Sequence, residues 1–199
     1  SGEDIQLYKL LSNFPIKHYV DVGCWDPINC SNTYSLYTKN WSGLAIDPNP
    51  EFAPVFKKYR SRDRFVNVGV GAAPGKLTYY KLDDKFSSHN TFNLDFLKEE
   101  KLLKAIKQEI EIEIVTLGNL FDELKFHSRF GLLDVDVEGF DLEVLKGNDW
   151  NKYRPKIVLV ESEALFEDEP KTEISLFMKD VGYGICAKLV QQPFESGNV

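Results

Sequence analysis

Cysteine is scarce in this 199-residue chain. Cys24, Cys30 and Cys186 are odd in number and contain no C-x-x-C pair, which argues against a disulfide framework and a cysteine zinc site and leaves core or pocket thiols. Long hydrophobic runs are missing too. No stretch approaches the roughly 18 apolar residues of a membrane span, and the longest, such as Ile157 to Val160, have strand length. Positive charge is in deficit, with 24 Lys and Arg against 31 Asp and Glu for a net charge of −7. That balance supplies no basic stripe for a phosphate backbone, so neither nucleic acid nor membrane is expected as a partner. The chain starts at Ser1 and Gly2 without an initiator Met, which reads as a remnant of expression. No basic, apolar, small-residue leader follows, so a soluble, cytoplasmic protein is expected.

Nucleotide fingerprints are equally sparse. Gly23 is followed by Cys24, Trp25, Asp26 and Pro27, so the G-x-G-x-x-G that cradles a pyrophosphate is absent, and Asp26 would repel phosphate. There is no G-x-x-x-x-G-K-[ST] loop, and no Tyr has a Lys four residues later. An asparagine-proline-proline-aromatic motif, the mark of amino-methylating nucleic-acid enzymes, is also missing; DPNP at Asp47 to Pro50 reads as a turn.

What is present is a globular pattern, 43% hydrophobic and 28% charged, expected to form one domain: an N-terminal helix and lead-in over 1–18, a core over 19–190, and a frayed or truncated tail over 191–199. HYVDVG, GLAIDP, RFVNVGVG, IEIVTL, FGLLDVDVEG and KIVLVES are apolar runs of strand length without strict alternation, as in a parallel sheet buried on both faces. Helical spacing marks Asp4 to Asn13, Glu51 to Arg60, Asp141 to Lys146 and Lys171 to Val181. Lys76 to Tyr80 and Glu111 to Val115 read as strands, and Phe92 to Gln108 as a charged, solvated helix. The alternation predicts an α/β fold, a mostly parallel twisted sheet with helices on both faces, whose ligand lies at the carboxyl ends of the strands.

Two strand ends carry chemistry. After Tyr19 to Val22, Gly23 lets a ligand approach the backbone, and Asp21 can accept from an ammonium group; a structural strand-to-turn glycine is the alternative. Asp47 ends the next strand more than twenty residues on, where a carboxylate accepts from both hydroxyls of an adenosine ribose; the alternative is a turn that caps the helix at Glu51, and both roles can hold together. A cofactor with ribose and ammonium groups but no phosphate suits these residues.

In order and spacing, VDVGCWDP, SNTYSLY, NWSGLAIDPNP, NVGVGAAPGKLTYY and above all LLDVDVEGFDLEVLKG with PKIVLVES resemble the FkbM family of methyltransferases, over roughly Tyr19 to Ser162. The resemblance implies a Rossmann-like class I methyltransferase fold, S-adenosyl-L-methionine as donor, and O-methylation of a small-molecule acceptor: a sugar, glycan or secondary metabolite. It places Asp21 and Gly23 in the donor loop, Asp47 on the ribose, Ser31 near the methionine moiety, and Gly69 to Gly71 at the edge of the adenine. The chain departs from the family in the bulk of Cys24, Trp25 and Pro27 after the first glycine. It departs again in its closing hairpin, for which only Gly182 to Val190 offers a strand.

On the acceptor side, Asp134, Asp136 and Glu138 alternate in LLDVDVEG, which would set them on one side of a strand, and Glu161 and Glu163 alternate in LVESEA. Asp136, Glu138 and Glu161 could converge on a magnesium ion that activates the acceptor hydroxyl. Alternatively Asp136 contacts the donor, Glu138 caps the next helix and no metal binds. His89, in the polar stretch SSHNTF, is a candidate general base on an acceptor lid, whereas His18 reads as structural and His127 lies in an exposed connection. The three Trp residues read as packing, although Trp25 could wall the pocket. Two rival readings use the same residues. A nicotinamide-dependent oxidoreductase shares the βα pattern and ribose carboxylate, and a non-catalytic donor-binding module suits the bulky first loop and sparse C-terminus.

Overall fold

A computed structural model describes residues 3–162 and 164–189; Glu163 and the tail over 191–199 lie outside the described residues. In chain order the elements are α1 (Glu3–Leu11), β1 (His18–Val22), α2 (Tyr34–Thr38), β2 (Ser42–Ile46), α3 (Ala53–Tyr59), β3 (Arg64–Val66), β4 (Gly69–Val70), β5 (Gly75–Leu82), α4 (Leu94–Glu99), β6 (Ile106–Val115), α5 (Leu117–Leu124), β7 (Arg129–Val135), α6 (Asp141–Lys146), β8 (Arg154–Val160) and α7 (Glu173–Asp180).

Five strands form a parallel sheet in the order β3-β2-β1-β7-β8. Alternation along these strands divides the core. Tyr19 and Leu132 face α1 and α2, where Leu7, Leu11, Leu36 and Trp41 close over them. Val20, Val22, Leu133 and Val135 face the opposite layer, against Leu120 and Phe121 of α5, Val144 and Leu145 of α6 and Met178 of α7. Each such side chain, fully buried, contributes about 1.5–3 kcal/mol of transfer free energy. The result is the expected Rossmann-like α/β architecture with helices on both faces. Strand order reverses between β1 and β7, so the carboxyl ends of these two strands flank the crevice where such sheets bind ligands.

A second sheet, in the order β4-β6-β5, pairs β4 parallel and β5 antiparallel to β6. It corrects three expectations. RFVNVGVG is two short strands in different sheets, β3 and β4, rather than one. IEIVTL belongs to this second sheet, with Ile110, Ile112 and Ile114 turned inward and Glu109, Glu111 and Glu113 exposed. The helix expected from Phe92 to Gln108 is cut to α4, because Lys101 adopts a left-handed backbone (φ 59°) and the Leu102 N–H turns back to the Leu97 carbonyl (2.8 Å), a Schellman-type stop. The strand expected from Gly182 to Val190 is also absent over its described residues, Gly182 to Leu189. No helix among the described residues is long and apolar enough to cross a membrane.

Candidate active site

Gly23 sits at the bottom of the crevice in a conformation (φ 83°) that L side chains rarely adopt; a Cβ there would lie 1.8 Å from the Asp136 carbonyl oxygen. Its N–H bonds the Ile46 carbonyl (2.9 Å), and the Asp136 N–H bonds the Val22 carbonyl (3.0 Å). Those two bonds stitch the ends of β1, β2 and β7 together. Asp47 follows β2 and is only 4% exposed. Its Oδ2 accepts the Trp25 N–H (3.2 Å) and its Oδ1 the Asn49 N–H (2.8 Å). Burial pushes its carboxyl up to about 7, against the pull of both N–H groups. Asn49 in turn accepts the Glu51 N–H (3.1 Å), so the DPNP turn does cap the short helical turn that leads into α3.

Gly23, Asp47 and Asp136 open onto one shallow cleft at the carboxyl ends of the strands. Gly23, Trp25, Asp47, Tyr79, Phe92 and Asp136 are among its walls. Trp25 therefore does wall the pocket, and does so with strain: its φ of 37° is unusual for a bulky residue and costs on the order of 1–3 kcal/mol.

Next to Asp136, outside the residues that line the cleft, stand Glu138, His89 and Glu161. Enclosure by the cleft, then the charges of Glu161, Glu138 and Asp21, push the Asp136 carboxyl up to about 7, while His89 opposes the rise. Asp136 still faces water in the cleft, which tempers that push. Nδ1 of His89 lies 2.8 Å from Oε1 of Glu138. Glu138 is not on the strand face with Asp134 and Asp136, as expected, because β7 ends at Val135 and Glu138 stands in a left-handed turn (φ 55°). Nor does it cap α6, which has no side-chain cap at its N-terminus. Among the described residues no three His, Cys, Asp or Glu side chains gather as a metal ion requires, so Asp136, Glu138 and Glu161 are neighbours without forming a ligand set. His18 and His127, by contrast, stack on each other (4.3 Å between centroids) at the opposite end of β1.

Behind the loop that follows β1 lies a network that the sequence did not disclose. Arg60, fully buried at the end of α3, bonds Asp63 (2.7 Å), Tyr19 Oη (2.7 Å), Thr33 Oγ1 (2.9 Å), Ser31 Oγ (3.1 Å) and the Pro27 carbonyl (3.4 Å). Thr33 then donates to Asp21. Ser31 and Asp21 are thus turned toward Arg60 and Thr33, and neither is among the residues lining the cleft. Asp21 lies in register with Asp134 on β7, and both are buried. Burial drives both carboxyls up, Arg60 pulling Asp21 back and Asp21 pushing Asp134 further. Gly69 and Gly71 also stand off the cleft: a Cβ on Gly69 would meet Ile114 and Phe92, and one on Gly71 would meet Ile114 and Phe140.

A doubly wound α/β sheet, with a glycine and a buried acid at the ends of its first two strands and a raised carboxyl across the switch point, sets a candidate ligand crevice where such folds carry one. The family model for the Methyltransferase FkbM domain matches residues 21–185, and the chain belongs to that methyltransferase family. No curated protein and no solved structure matches it.

Proposed function

We propose that this methyltransferase uses S-adenosyl-L-methionine to methylate a hydroxyl on a small molecule, sugar or glycan. The observation that carries the reading is the cleft itself, where Asp47 and Asp136 face a common space across Gly23. The residues fit the donor: a buried acid at the end of β2 suits a ribose diol, and no phosphate cradle accompanies it. When bound, S-adenosylmethionine supplies a methyl group on a positively charged sulfur.

The protein's own groups would do the rest. Asp47 would hold the ribose hydroxyls, loosening its hold on the Trp25 N–H it now accepts. Asp136, poised near neutrality, would take the acceptor hydroxyl's proton. His89, held at Nδ1 by Glu138, can help orient the hydroxyl through its other ring nitrogen. Alignment of acceptor and methyl group carries much of such a displacement. No step is routed through magnesium, since the three carboxylates form no ligand set. The acidic cleft and net charge of −7 speak against an anionic acceptor such as nucleic acid. The free thiols Cys24, Cys30 and Cys186 suit the cytoplasm.

Calorimetric titration with S-adenosylmethionine, S-adenosylhomocysteine and NAD, with magnesium present or chelated, tests the donor. Both sulfur compounds should bind and NAD should not; NAD binding alone, or none, would overturn the reading. Binding without turnover on any hydroxyl acceptor would leave the non-catalytic module in its place. Asp47→Ala should weaken donor binding by roughly tenfold or more while the circular dichroism spectrum stays the same. Unchanged affinity would remove Asp47 from the ribose.

A further inference from the structure

Two parts of the cleft that chemistry treats separately are joined by one side chain. Trp25 gives its backbone N–H to Oδ2 of Asp47 (3.2 Å) and its indole N–H to Oγ of Ser87 (3.2 Å). Ser87 passes its own hydroxyl proton to the Asp84 carbonyl (3.0 Å), so both hydrogen-bonding capacities of the hydroxyl are engaged. It lies in the tight helical turn Asp84–His89, two residues before His89.

From there the segment is stitched to the turn after β7. Nδ1 of His89 meets Glu138 (2.8 Å), Thr91 Oγ1 donates to the Glu138 carbonyl (2.8 Å), and Asn93 Nδ2 donates to the Gly139 carbonyl (2.8 Å). Strained backbones stand at both ends of this path, at Trp25 and at Glu138. Such outliers persist where surrounding contacts hold them, and they mark segments able to change conformation.

We infer that Trp25 is a positioning residue that couples the donor side of the cleft to the acceptor side, so that occupancy at Asp47 is transmitted through Ser87 to His89 and Glu138. The inference rests on the donor reading above. A ribose diol requires the Asp47 oxygens, one of which the Trp25 N–H now holds. A bound donor therefore shares or displaces that contact, and the indole cannot follow without moving Ser87. A ligand shifts a conformation only through differential contacts in the two states, and the Asp47 to Trp25 hydrogen bond supplies that difference.

His89 is one of three histidines, so its ring is readily followed by carbon-proton NMR, with His89→Gln assigning the signal. The test compares the native chain, Trp25→Phe and Ser87→Ala, each saturated with S-adenosylhomocysteine and each with its affinity measured by calorimetry. Trp25→Phe keeps an aromatic wall and removes the indole donor; Ser87→Ala removes the acceptor from a partly exposed turn and is the safer variant for folding. In the native chain the His89 signal should move on saturation, and in both variants that response should be lost although the donor still binds. Variants that respond as the native chain does would overturn the coupling, as would a native His89 that is silent while donor binds. Failure of the native chain to bind any donor would overturn the donor reading and the coupling with it, an outcome the calorimetry separates from the other two.

Discussion

Arg60 shows what a single buried charge can organise. Its guanidinium reaches Asp63 and three stations on the loop after β1, Pro27, Ser31 and Thr33, from a site without solvent exposure. Removing one partner of such a network strands the others in a dry interior, where the loss runs to about 3–5 kcal/mol. Arg60→Met should therefore lower the urea midpoint by that measure, and Arg60→Lys should recover only part of it, because an ammonium lacks the planar fork. A midpoint like that of the native chain would show that the loop is held by other means. The sequence could announce Gly23, Asp47 and Asp136, because strand ends in a βα pattern have a fixed meaning. It had no way to announce Arg60. At the end of a helical pattern it looks like any solvated arginine, and its partners stand up to 41 residues away in the chain. The family resemblance sets Ser31 near the methionine moiety, whereas its hydroxyl accepts from Arg60.

Among the elements, those with a plain period were legible: β1, β2, β7 and β8, and the helical stretches that became α1, α3, α6 and α7. α5 was hidden, because the run IEIVTL carries strand character as far as Leu117, where the helix begins. The boundary is set by Thr116, whose Oγ accepts the Asn119 N–H (3.2 Å) and satisfies one of the four orphan donors of the first turn. Thr116→Ala should cost about 1 kcal/mol in denaturant unfolding, and Thr116→Ser should restore most of it. Equal stability of the alanine and native chains would deny the cap. β6 was half legible: its isoleucine and glutamate alternation marks a strand with one wet face, which belongs in an antiparallel pairing rather than in the covered parallel sheet. The long helix read over the same region failed on a local event, the left-handed Lys101, that composition does not reveal.

At the scale of the molecule, buried acids govern how stability depends on pH. Asp47 and Asp141 are pushed to about 7 by burial, from an ordinary value of 3.8. Between those values the native chain binds more protons than the unfolded one, so stability falls as pH rises through that window. The exposed acids Glu51 and Asp122, held low by lysines, act in the opposite sense, but solvent screens them. The thermal midpoint should accordingly drop between about pH 4 and pH 7, and a rise across that span would contradict the buried assignment of these acids. The segment that carries His89 has a further consequence. It leaves the second sheet at Leu82 and rejoins it at Ile106, antiparallel partners whose base the Asp83 N–H closes on the Ala105 carbonyl (2.9 Å). An excursion that returns to its own point of departure can lengthen, shorten or be exchanged between related chains at little entropic cost and without disturbing the pairing of β1, β2 and β7. The wall of the cleft that this excursion supplies can thus drift over evolution, or be grafted by design, while the parallel sheet stays fixed.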